Sequence, residues 1–478
     1  MELTETATNL EYKLQQNFRK LQSEFFKNPN SDLQYRLNGL KRLETQLLKY
    51  KQHITEAIKQ DLNKCEFESD TSEILTCLLE LRIAKRELAK WMRPKMVATP
   101  TELLGSSHYI RQEPKGVVLI ISPWNYPVNL SIIPLIAAWS AGNKIILKPS
   151  EISKNTADVI EQLIADTFSS NEVIVCKGDV QVAEILLKLP FNHIFFTGSQ
   201  ATAKKVMKAA AENLSTVTLE LGGKNPLIID ESINLKKVVK DIVYGKCINA
   251  GQTCVAPDYI LIPKTLKTEF VLQWNVAIEN LYGSNLMNNS DYGGIINPIH
   301  YDRLINLIQS CLDQGAVLSE PIQCDPIQRK IKPVLLMNSK WEHPCMADEI
   351  FGPVLPIIEY EFIEPELNRM QSIDRPLVLY IFSEQKVFIE KVLNTVRSGG
   401  VTINNCLLNY CNFNLPFGGD QQSGQGSNHG IFGFEAFSHK RGISKQGKLI
   451  NSLRFFYPPF DSWKVKILNI AFKYLGKV

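Results

Sequence analysis

Between Gly116 and Phe196 the chain alternates short apolar runs with helix-length ones, and that alternation leaves few folds open. The runs are Val117 to Ile121, Ile132 to Ala141, Lys144 to Leu147, Val159 to Phe168, Val173 to Cys176, Val182 to Leu189 and His193 to Phe196. Short runs of this kind are strands, the longer ones are helices that cover them, and together they predict a parallel sheet in an α/β fold. Ligands of such sheets sit outside the carboxyl ends of the strands. Three polar segments follow strand-like runs directly: Ser122 to Asn125, Lys148 to Glu151 and Thr197 to Ser199. They describe one rim suited to a nucleotide. Gly198-Ser199 opens a helix, where free N–H groups and the helix dipole favour a diphosphate.

A chain of 478 residues is too long for a single hydrophobic core, so two or three domains are expected. Beyond Asp230 a second α/β pattern begins, with a helical stretch Leu235 to Ile248, a strand Tyr259 to Ile262, and helices Leu266 to Leu281 and Tyr301 to Leu312. Ahead of the first pattern, Leu10 to Phe25 and Leu33 to Ile54 carry apolar residues at helical spacing on either side of Asn28-Pro29-Asn30, and a third such helix runs through Leu78 to Trp91. These stripes are core packing. The polar stretch Thr99 to Gln112, with turn residues at Gly105 to Ser107, is predicted to join two extended arms.

Charge and cysteine usage exclude several function classes. With 53 basic and 49 acidic residues and a net charge of +4, the chain lacks the basic excess of a nucleic-acid surface. Its ten cysteines form no CxxC pair and no zinc spacing, so no metal site is expected and a reducing, cytoplasmic location is. Met1 to Leu10 is acidic and polar, without the order of a signal peptide.

Two glycine-bordered segments carry the chemistry. Glu220 closes the strand-like run Thr216 to Leu219 and is followed by Gly222-Gly223, while Cys254 ends Gly251-Gln252-Thr253-Cys254. A free thiol titrates near ~8.5 and needs a base or a positive dipole to become a nucleophile, which casts Cys254 as nucleophile and Glu220 as base. Taken alone, such a pair is more readily an inert buried thiol and a surface carboxylate.

Both segments resemble signatures of the aldehyde dehydrogenase superfamily: Leu219 to Pro226 (LELGGKNP) its glutamate signature, and Gly251 to Pro257 (GQTCVAP) its cysteine signature. SPWNYP at Ser122, LKPSE at Leu147, FTGS at Phe196, EIFGPV at Glu349 and LPFGG at Leu415 recur in the family's order. WNYP, GQTCVAPDY and AFSHKR (Ala436 to Arg441) are most similar to class 3, the fatty-aldehyde-like branch.

The resemblance implies a Rossmann-type cofactor domain (residues 1–96 and 113–221), an α/β catalytic domain (222–420) and an oligomerisation element (97–112 and 436–450) that builds a homodimer. It implies NAD, or NADP, held by Trp124, Lys148, Glu151, Gly198, Ser199, Ala203, Glu349 and Phe351, with Lys148 and Glu151 on the adenosine ribose. Glu349 would then serve the nicotinamide ribose and Phe351 the nicotinamide ring. A carboxylate beside the ribose favours NAD on charge grounds. The side-chain amide of Asn125 and the backbone N–H of Cys254 are implied as oxyanion donors, with Tyr126 beside the substrate. Ala203 and Gln200 depart from the family, which has glycine and often threonine there, and Asp420 and Gln421 add polarity to Pro416 to Gly426, read as a lip over the aldehyde tunnel.

The implied activity is oxidation of an apolar aldehyde, medium- to long-chain or aromatic, to the acid through a cysteine thiohemiacetal and thioester. A CoA-acylating relative is the alternative, against which Glu220 argues. A catalytically idle structural member is another, against which Cys254, Glu220 and Asn125 together argue.

The tail, residues 458–478, is read from its own residues. Trp463 to Val478 carries a wide apolar face with Lys466, Lys473 and Lys477 opposite. It is too short and too basic to span a bilayer. Two placements fit, packed on protein or lying in a membrane interface. Peripheral membrane contact is the expectation.

Overall fold

The computed structural model describes residues 2–373 and 375–476, with side chains from residue 9 onward. Its strands gather into two main sheets. The first runs, in spatial order, Gly424–Gln425, Thr216–Leu221, His193–Gly198, Val117–Ile121, Lys144–Lys148 and Val173–Val175. All neighbours are parallel except the first pair. Val117–Ile121 is buried along its whole length, as a strand covered on both faces must be. The helix Asn129–Ala141 is buried on every side, because it lies between this sheet and the helices that precede it.

The second sheet runs Val317–Leu318, Val334–Met337, Val354–Tyr360, Tyr259–Pro263, Pro226–Ile229, Val378–Phe382 and Gly400–Ile403. It has its own core, centred on residues such as Tyr259, Trp274 and Tyr380. The chain passes from one sheet to the other over Gly222 to Asn225, between Leu221 and Pro226. A third, antiparallel sheet of Lys95–Val97, Ser106–Pro114 and Ser438–Gln446 stands apart from both.

Three element expectations change. The stripe from Leu33 to Ile54 is two helices, Leu33–Lys49 and Lys51–Leu62, divided at Tyr50 with no loss of apolar phase. The arms of the polar stretch are Lys95–Val97 and Ser106–Pro114, so the connection is the longer span 98–105, closed by Gly105 at a φ of +88°. The helix expected from Tyr301 begins at Pro298, with the Asn297 side chain accepting from the His300 N–H. Asn before Pro is a helix-start signal that apolar periodicity alone overlooks.

The tail forms the helix Ser462–Leu475, and none of its residues is buried. Lys477 and Val478 lie outside the described residues. Among the described residues no helix is long and apolar enough to cross a membrane, and no cluster of metal-ligating side chains occurs.

Candidate active site

Strand register brings the first carboxylate to the rim. Thr197 and Glu220 are opposite each other on adjacent parallel strands, and the Thr197 hydroxyl lies 3.5 Å from Glu220 Oε2. Glu220 is buried and its Oε1 has no hydrogen-bond partner. Burial pushes its carboxyl up to about 8, against the opposing effect of the Asn428 and Thr197 side chains. A buried carboxyl that titrates there is suited to proton transfer at neutral pH.

Pro416 to Gly426 contributes nothing to the lining of the two cavities that reach Cys254. It braces Glu220: Gly424 pairs with Glu220 across the sheet edge, the Leu221 N–H donates to the Ser423 carbonyl at 3.0 Å, and Asp420 is paired with Arg375 and Arg397 instead of facing substrate. The glycines of this segment permit backbone to lie on backbone, since a Cβ at Gly419 would fall 2.0 Å from the Ser423 carbonyl.

Cys254 is delivered by an unusual turn. After the helix Leu235–Cys247, residues Asn249, Ala250 and Gly251 all take left-handed φ values of 51°, 52° and 77°. Gly251 is required there, because a Cβ would sit 2.4 Å from the Gly352 carbonyl. The buried Gln252 side chain locks the turn by donating to the Asn249 and Gly294 carbonyls at 2.9 and 3.0 Å and accepting from the Ile296 N–H at 2.9 Å. Asn225 donates to the carbonyls of Cys254 and Ala256 at 2.7 and 3.0 Å.

Asn125 meets this turn from the first sheet. Its Nδ2 donates to the Gln252 carbonyl at 3.1 Å, and its own carbonyl accepts from Asn249 Nδ2 at 2.8 Å. An amide nitrogen carries two hydrogens, so one is left over after that bond.

Two cavities meet at the Cys254 side chain. The first, ≈ 240 Å³, is lined by Trp124, Asn125, Gly198, Ser199, Glu220 and Glu349, among others. Phe351 also lines it, and the rings of Phe351 and His300 pack on Trp124 at 5.4 and 5.0 Å. Glu349 reaches over Gly222, where a Cβ would fall 2.0 Å from its Oε2. The second cavity, ≈ 350 Å³, is lined mainly by apolar groups, including Tyr126, Leu130, Ile248, Leu407, Leu408 and Tyr410. Tyr126 forms wall more than mouth, its hydroxyl 2.8 Å from Thr253 Oγ1.

The thiol is not activated by a neighbouring cation. Burial, with the Glu349 and Glu220 carboxylates adding to it, pushes Cys254 above the usual thiol range. Burial likewise raises Glu349 to about 8.

The other expected cofactor residues divide. Lys148 and Glu151 are paired at 2.8 Å at the end of the adjacent strand, beyond the lining of the first cavity. Ser199 caps the helix Gln200–Glu212. Ala203 lies in the buried core of that helix instead of on the rim. His300 and Arg303 line the first cavity without having been anticipated. His300 stands in the first turn of the helix at Pro298, the turn that periodicity missed, and Arg303 in the turn after it.

The lining of the first cavity suits the diphosphate and nicotinamide portions of a nicotinamide dinucleotide. Gly198 and Ser199 bring a helix N-terminus to it, Trp124 and Phe351 bring aromatic rings, Glu349 a buried carboxyl, and Cys254 the thiol.

A sequence model described as the aldehyde dehydrogenase family matches residues 6–443. The chain is 39% identical over 461 residues to 4,4'-diaponeurosporen-aldehyde dehydrogenase of Staphylococcus aureus, covering 96% of this chain and 99% of that one. It is 37% identical to aldehyde dehydrogenase family 3 member A2 of Pongo abelii, covering 94% and 91%. Among solved structures, a substrate-bound AldH of Staphylococcus aureus superposes with a TM-score of 0.92 at 38% identity, covering 96% of this chain and 99% of that one.

Proposed function

The chain belongs to the aldehyde dehydrogenase family, and from that premise we propose that it oxidises an apolar aldehyde, medium- to long-chain or aromatic, with NAD or NADP as acceptor. The observation that carries this reading is the position of Cys254 where a polar cavity and an apolar one meet. Substrate enters from the apolar side, cofactor lies on the other, and the reacting carbon rests against the sulfur.

Glu220 takes the thiol proton, directly or through water, and the sulfur adds to the carbonyl carbon to form a thiohemiacetal. The carbonyl electron pair moves to oxygen, where the unused hydrogen of Asn125 Nδ2 and the Cys254 N–H are the donors. Loss of one such donor costs about 3 kcal/mol of barrier. A bound nicotinamide supplies the hydride acceptor. Trp124, Glu349 and Phe351 line its place, Gly198 and Ser199 the diphosphate's, and Lys148 and Glu151 the ribose's.

With the hydride gone, the carbon on sulfur is a thioester. Glu220, having passed the thiol proton on to solvent, deprotonates a water that attacks the thioester carbon; the carbon–sulfur bond breaks, the acid leaves, and the proton goes to the sulfur to restore the thiol. This retained base supports hydrolysis over transfer to CoA. Rise of reduced-nicotinamide absorbance across a panel of aldehydes is the test. No turnover with any aldehyde and either cofactor overturns the reading.

The assembly expected is a homodimer. Ser438–Gln446 is an outer strand of the third sheet, with an open edge available to another chain. The tail helix supports peripheral contact with an anionic membrane, since its apolar side chains are exposed and Lys466 and Lys473 project from the opposite side.

A further inference from the structure

Beneath both catalytic loops lies a cluster of charges that the reaction itself does not use. Lys64 and Glu73 are completely buried and paired at 3.3 Å. The Lys64 ammonium stands 4.1 Å from the centre of the Tyr126 ring. Glu73 Oε2 accepts from the N–H groups of Val128 and Asn129 at 3.0 and 2.9 Å. It thereby fixes the start of the helix that follows Asn125 and Tyr126. Five residues before Glu73, the partly buried Glu68 accepts the backbone N–H of Asn249 through its Oε1 at 2.8 Å. Asn249 is the first left-handed residue of the nucleophile turn, and its side chain donates to the carbonyls of Asn125 and Gln252 at 2.8 and 3.1 Å.

The backbone turns π-helical just after Glu68, over Asp70–Leu75, a segment that contains Glu73. Such a bulge inserts a residue into the helical repeat and re-aims the side chains on either side, which is why bulges gather at functional sites. Here Glu68 reaches the Cys254 turn and Glu73 the Asn125 loop from one segment. A buried N–H without an acceptor is costly, so Asn249 keeps its conformation while Glu68 is in reach.

We propose that Glu68 is a positioning residue, acting with the Lys64–Glu73 pair to hold the Cys254 turn and the Asn125 amide in mutual register. What matters at Glu68 is the reach of its acceptor oxygen. Its negative charge is dispensable, because the Lys64 ammonium is already paired with Glu73. The proposal rests on the reading of Cys254 as nucleophile and Asn125 as oxyanion donor.

Two conservative variants separate reach from charge. Glu68→Gln keeps the acceptor and removes the charge; Glu68→Asp keeps the charge and withdraws the acceptor by about 1.5 Å, one carbon–carbon bond. Misplacing a reacting geometry by an ångström costs up to about a hundredfold in rate. Glu68→Asp is therefore expected to lose roughly ten- to a hundredfold in kcat with the cofactor KM unchanged, and Glu68→Gln to restore most of it. In an Asn125→Ala background the aspartate change should cost little more, because the group it misplaces is gone.

A glutamine variant as slow as or slower than the aspartate variant, or equal fold-losses from Glu68→Asp in both backgrounds, overturns the proposal. Failure of the underlying reading is distinguishable. It appears as an unmodified protein with no aldehyde turnover, or as a Cys254→Ala variant that remains active.

Discussion

At Glu220 a carboxyl raised to about 8 by burial ties the reaction to pH in a defined direction. Only the ionised form takes a proton from water, so where thioester hydrolysis limits turnover, kcat is expected to rise with pH up to and through about 8 and then level off. Glu220→Gln should remove that limb. It should also leave an acyl adduct on Cys254 that intact-mass spectrometry detects after mixing with aldehyde and cofactor, whereas Cys254→Ala shows none. Wild-type turnover in the glutamine variant would mean that another group is the base.

Cys254 is held up by burial first and by Glu349 next, and Glu349 is itself ionised only from about pH 8 upward, so above that pH Glu349→Gln should speed its alkylation by iodoacetamide by roughly severalfold. An unchanged rate would show that the Glu349 charge does not reach the sulfur. Cys254, Glu220 and Asn125 were legible because each sits in a short motif. Lys64, Glu68 and Glu73 were not, because a buried polar residue acquires its partner only through tertiary contact, and nothing local marks it.

Among elements, the alternation of strand and helix was readable because strands covered on both faces are continuous apolar runs. The strand pairing of the stretch Pro416 to Gly426 was not readable for a related reason. Glycine content announces an irregular backbone, but whether that backbone closes a tunnel or pairs with a strand is settled by the strand Thr216–Leu221, two hundred residues away. Two glycines test how far backbone contact governs the site. At Gly251 an added methyl meets the Gly352 carbonyl, which cannot swing aside, and the left-handed φ adds strain of about 1 kcal/mol or more. Gly251→Ala should lose both thermal stability and activity. At Gly222 the methyl meets the end of the Glu349 side chain, which can turn away. Gly222→Ala should therefore keep its melting temperature and raise the cofactor KM. Equal melting-temperature losses in both would show that the two contacts are alike.

At the scale of the whole molecule, two surfaces remain without a partner in one chain, and they make separable expectations. The outer edge of Ser438–Gln446 belongs to the third sheet, and light scattering at micromolar concentration is expected to give the mass of two chains; a monomer would remove the homodimer. The tail presents its own surface. Phe460, Phe472 and Leu475 are each more than half exposed, and Leu449 and Ile450 add to the same stretch of chain. Lys464 is turned back onto the carbonyls of Tyr457 and Pro459 at 2.6 and 3.0 Å, which leaves Lys466 and Lys473 to meet an anionic surface. At about 1 kcal/mol per lysine near such a surface, charge alone gives weak binding that salt removes, and the apolar face must supply the rest. Both contributions vanish if the chain ends at Tyr457. Co-sedimentation with phosphatidylserine vesicles is therefore expected to fall sharply in that truncation and, for the full chain, to weaken as salt is raised. If the tail instead rests on the second subunit of a dimer, truncation leaves pelleting unchanged and alters the dimer's stability, an outcome that would end the membrane reading.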